Sequence, residues 1–99
     1  MSRMDLSSNR FLTDDRQVSF IIDAGEQKYE LAMSGILAGD TLTFYTIFKP
    51  LDYDHIIYMS SFTPSWVQAK QLFSEILNQV VDTYSISLED YPDIVSFIS

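Results

Sequence analysis

The sequence predicts a two-layer α+β domain: a four-stranded antiparallel β-meander, then one long C-terminal helix, then a short terminal helix or turn. Three observations carry this. Strand-length runs of alternating apolar and polar residues fill residues 16–62. From Trp66 the apolar spacing changes to the helical period. The chain has 99 residues, 46% of them hydrophobic, and a chain of that size hides roughly two-thirds of its unfolded surface in one core. The expected organisation is a flexible N-terminal arm at 1–15, largely polar and anchored by Phe11 and Leu12, and a single α+β domain at 16–99.

The first strand is "RQVSFIIDA", where Val18, Phe20 and Ile22 alternate with Gln17, Ser19 and Ile21. "GEQ" follows as a turn, with Gly25 able to adopt positive φ. "KYELAMS" alternates Tyr29, Leu31 and Met33 against Lys28, Glu30 and Ala32, which closes an antiparallel hairpin. "GILAGD", with Gly35 and Gly39, is expected to interrupt the pattern. "TLTFYTIFK" is the third strand, rich in Thr, Phe, Tyr and Ile. "PLDYD" is a loop, and "HIIYMSSF" is the fourth strand.

"TPSW" marks the change to helix. Thr63 is the expected cap, with Pro64 in the first helical position, where a missing N–H costs nothing. Apolar residues then fall at 66, 69, 72, 73, 76, 77, 80 and 81, so the helix should end near Tyr84. In "SISLEDYPDIVSFIS", Ser87 and Asp90 have the spacing of a helix entry, and Pro92 argues against a helix that starts much earlier. A strand at Ser85–Leu88 is the competing reading.

One helix covers one face of a sheet, yet both faces here carry apolar groups. Phe20, Ile22, Leu31, Leu42, Phe44 and Phe48 suit the helix side, whereas Ile21, Ala32, Tyr45 and Ile47 point the other way. A second cover is therefore expected: the N-terminal arm, the C-terminal segment, a partner protein or a second copy in a homodimer.

Charge sets the class of partner. Fourteen acids face six bases, for a net charge of −8. Direct nucleic-acid binding and anionic membranes are disfavoured, and a basic protein partner is favoured. Acidity kept only for solubility is the plainer alternative. The acids cluster at Asp14/Asp15, Asp52/Asp54 and Glu89/Asp90/Asp93, with Tyr53 and Tyr91 set among them. A tyrosine flanked by carboxylates can meet an arginine-rich surface by charge and by stacking. Asp52, Tyr53, Asp54, Glu89, Asp90, Tyr91 and Asp93 are therefore the candidate partner-binding residues.

Catalytic signatures are weak. His55 is the only histidine and there is no cysteine, so neither a His-pair metal site nor thiolate chemistry can be built within one chain. "SGILAGD" lacks the lysine and hydroxyl residue of a phosphate loop, and no serine sits in a nucleophile elbow. No catalytic residue, metal or cofactor is expected. The lack of cysteine fits a reducing compartment, and a cytoplasmic location is expected.

The leading expectation is a small acidic, non-catalytic binding or inhibitor protein of the anti-restriction, anti-CRISPR or immunity type. Its carboxylates would stand where the phosphates of nucleic acid would lie. The alternative is a chaperone-like or adaptor module acting through its apolar sheet face.

Overall fold

The computed structural model describes residues 17–99; the arm expected at 1–15, with its Asp14/Asp15 pair, lies outside them. Four antiparallel strands form one open sheet in sequence order: β1 (Val18–Ala24), β2 (Gln27–Ala38), β3 (Thr41–Pro50) and β4 (Tyr58–Met59). A long helix, α1 (Trp66–Tyr84), a 3-10 turn at Leu88–Asp90 and a short helix, α2 (Pro92–Ile98), follow. This is the predicted α+β meander with its two terminal helices.

Both hairpin turns have the same physics. Ala24 pairs with Gln27, and Ala38 with Thr41, so each loop has two residues. Gly25 (φ 70°) and Gly39 (φ 64°) take the first loop position, and the acid that follows keeps negative φ. That is the type II′ geometry, whose twist matches the flanking strands.

Gly35 does not interrupt the sheet, contrary to the expectation for "GILAGD". β2 runs through it to Ala38, and Gly35 pairs with Phe44. The Phe44 ring fills the space a side chain would take: a Cβ at Gly35 would lie 3.2 Å from Phe44 Cε1. The turn is set by Gly39 alone.

The fourth strand is shorter than expected. Met59 pairs with Ile47, but the next bridge is Thr63 with Phe44. Four steps on one side therefore match three on the other, which is a bulge of one residue. Within it the Ser60 hydroxyl accepts the Thr46 N–H at 2.8 Å, the place a backbone carbonyl would otherwise hold.

Helix α1 is capped two residues later than expected. Ser65 is the cap, its Oγ accepting the Gln68 N–H at 3.1 Å, and Pro64 lies just outside the helix. Thr63 instead accepts the Ser65 N–H and reaches Gln68 Oε1, each at 3.1 Å. The helix ends at Ser85, in the left-handed region at φ 56°. The entry at Ser87 is a 3-10 turn without a side-chain cap, and Pro92 opens α2. No strand forms at 85–88.

Both helices cover the same face. Ala69, Phe73, Ile76, Leu77 and Val80 of α1 are buried with Ile22, Leu31, Met33, Phe44 and Phe48. Ile94 of α2 joins them over β1. The Phe97 ring packs against Phe73 (4.9 Å between centroids) and Phe20 (5.8 Å). The C-terminal segment thus widens the first cover and supplies none to the second face. Among the described residues nothing lies over that other face.

Candidate functional site

The register of the sheet places the acidic segments. Asp23 of β1 pairs with Lys28 of β2, and the Leu51 N–H donates to Lys28 O at 2.9 Å. Asp23, the β1–β2 turn and the β3–β4 loop therefore share one end of the sheet. Helix α1 finishes at this end too, with Tyr84 against Tyr29 (4.9 Å) and Phe48 (5.6 Å). The 3-10 turn is fixed here by Tyr91, whose hydroxyl accepts the Asp23 N–H at 3.0 Å.

Four segments consequently bring carboxylates to one end: Asp23 and Glu26 from the first hairpin, Asp52 and Asp54 from the β3–β4 loop, Asp82 from the last turn of α1, and Glu89 with Asp90 from the 3-10 turn. Asp82 sits where the helix dipole is already negative and a cation would be favoured, so it adds to the local field. The opposite end of the sheet has Asp40 in its β2–β3 turn.

The two lysines at the acidic end are engaged. Lys28 Nζ lies 2.6 Å from Asp23 Oδ1. The hydrogen bond to that carboxylate, and then its charge, hold the ammonium above its ordinary pKa. Lys49 Nζ donates to Pro50 O (3.0 Å) and Tyr53 O (2.9 Å), tying down the β3–β4 loop. Asp52, Asp54, Glu89 and Asp90 have no cation partner among the described residues.

Asp52, Tyr53 and Asp54 are all exposed on a loop anchored by Lys49, as are Glu89, Asp90 and Asp93 beside β1. The two tyrosines differ. Tyr53 presents its ring to solvent, whereas Tyr91 is half-buried against the core and its hydroxyl is taken up by Asp23. Tyr91 therefore positions the acids around it. Asp90 and Asp93 line a groove of about 210 Å³ along the outer edge of β1, floored by Ser19, Phe20 and Ile21.

The two acidic clusters share an end without sharing a pocket. β2 lies between the strands that anchor them, so two strand spacings, roughly 10 Å, separate their anchors. Asp23, Glu26 and Asp82 were not among the sequence candidates. Alignment of the hairpin would have brought in the first two, since the type II′ turn places them on either side of Gly25.

Tyr84 is pushed above the ordinary phenol value by burial first and by its neighbour Tyr29 second. His55 is exposed, and among the described residues no group of three His, Cys, Asp or Glu side chains could hold a metal ion. No helix among them is long and apolar enough to cross a membrane. Comparison with protein-family models, curated proteins and solved structures found no match.

Proposed function

We propose that the chain is a small non-catalytic binding protein that engages a basic protein partner through the acidic end of its sheet. The observation that carries this is the gathering of carboxylates from four chain segments around two lysines that are already engaged. Acids kept only for solubility have no reason to collect at one end. A surface of one sign steers an oppositely charged partner into encounter. The exposed Tyr53 adds a flat ring beside Asp52 and Asp54, suited to stacking with arginine. A nucleic-acid-handling protein presents such a basic surface, which the carboxylates would occupy in place of phosphates. The site is cytoplasmic in this reading.

The test measures binding of a labelled arginine-rich peptide to the full chain across a salt series. Reversal of Glu89, Asp90 and Asp93 to lysine should weaken binding at least about tenfold while the fold is kept. Asp40→Lys, at the far end, should change it little. A triple reversal that costs only about three times the binding free energy of Asp40→Lys, in proportion to the charge changed, would mean that only net charge matters, and the reading would fail.

A further inference from the structure

The second face of the sheet carries an inference separate from the acidic end. Alternation along the strands puts Ile21, Ala32, Ile36, Tyr45, Ile47 and Met59 on this side. Phe62, beyond the bulge, lays its ring 4.9 Å from that of Tyr45. Ile21, Ile36, Met59 and Phe62 are 44%, 38%, 49% and 50% exposed. At about 200 Å² per large side chain, these four alone expose roughly 350 Å² of apolar surface. That is the size of the largest apolar patch on a typical monomer, which is often functional, and it supplies roughly two-thirds or more of the apolar area, about 450–520 Å², on one side of a standard interface.

Charge identifies the occupant. The charged side chains on this face are Asp23, Glu30, Lys28 and Lys49, two of each sign, in a chain whose net charge is −8. Asp23 is paired with Lys28, and Glu30 accepts a hydrogen bond from Ser19 Oγ at 2.6 Å. Among the described residues Lys70 is the only other base, so the remaining described surface carries the whole excess of acid. Two copies that meet through the acidic end meet like charge. Here they meet a neutral surface with an apolar centre and both signs along one end. A two-fold axis in the plane of the interface can set lysines of one copy near carboxylates of the other, which makes the face self-complementary.

We propose that this face is a homodimer interface, covered by the same face of a second copy, with the two sheets packed about 10 Å apart. Asp23, Lys28 and Lys49 lie at the border of the contact, whereas the carboxylates of the β3–β4 loop and the 3-10 turn stay outside it, so the dimer presents two such sets.

Sedimentation equilibrium of the full chain over a range of concentrations tests this. The expected mass is twice 11.4 kDa at high concentration, falling toward the monomer on dilution. Met59→Lys and Ile36→Lys replace exposed side chains, so each should keep the wild-type circular dichroism spectrum. Each should also raise the dissociation constant at least about tenfold. Val67→Lys, on the exposed side of α1, should leave it unchanged. A monomer at every concentration would overturn the proposal and leave the face to residues 1–16 or to a different protein. A dimer unaffected by both sheet variants, or one lost equally in Val67→Lys, would overturn it too.

Discussion

Ile94→Ala measures how firmly α2 is part of the core. Ile94 is 1% exposed and belongs to the same cluster as Ile22, Leu31 and Phe73. The substitution removes three carbons from a dry site. Transfer alone, at about 0.8 kcal/mol per buried methylene, gives roughly 2.4 kcal/mol. The cavity left behind brings the total to about 3 kcal/mol, inside the usual range of roughly 2–5 kcal/mol for such truncations. A domain of this size has about 5–15 kcal/mol in all, and each kcal/mol is worth about 4–8 °C of melting temperature. The melting temperature should therefore fall by roughly 12–24 °C. The neighbouring Val95 is 40% exposed, and Val95→Ala should stay within about 0.5 kcal/mol of wild type. Urea unfolding followed by Trp66 fluorescence and by circular dichroism reads both, since Trp66 lies 6.2 Å from Phe97 and senses the contact of the two helices. If the two variants shift the midpoint equally, α2 is not docked as described and the reasoning fails.

Three further predictions concern the core and the termini of titration. Thr46 is fully buried on the helix side and its hydroxyl has no partner. Thr46→Val should therefore stabilise the fold by about 1–2 kcal/mol, read as a higher urea midpoint at unchanged slope. Gly35→Ala should destabilise by about 1–2 kcal/mol, because the added carbon displaces the Phe44 ring. Trp66 emission should shift with it, since Phe44 packs edge-on to Trp66 at 5.1 Å. Tyr84 has a raised pKa in the fold, so its contribution is complete below the unfolded value of 10.0 and is lost as pH rises through the higher folded value. The raised pKa of Lys28 acts with the same sign above 10.5. The urea midpoint should decline above pH 10, and less so in Tyr84→Phe.

Much of this architecture is legible in the sequence because two periods dominate it. Alternation fixes the strands and their faces: Ile22, Leu31, Phe44 and Phe48 lie under the helices and Ile21, Tyr45 and Ile47 opposite. The helical stripe fixes α1 to its last residue, Tyr84. Local punctuation is less faithful. Gly35 reads as a breaker until the ring of Phe44, nine residues on, is known to fill its space. Nothing in "HIIYMSSF" signals that Ser60 will take a backbone partner's place and create a bulge. Thr63 and Ser65 are both competent caps, and only the bridge of Thr63 to Phe44 commits it to the sheet and leaves the helix to Ser65. The acidic runs are visible as runs. Their placement at one end needs the strand register, which also brings in Asp23 and Glu26 and gives Tyr91 its positioning role.

The central claim is that the acidic end of the sheet is a recognition surface. It is tested most directly by titrating the isotope-labelled full chain with an arginine-rich peptide and mapping amide shift changes. The largest changes are expected at 23–28, 51–55 and 88–93, all reduced by added salt. Changes spread evenly over every carboxylate, with Asp40 and Glu75 responding as strongly as Asp54 and Asp90, would contradict it.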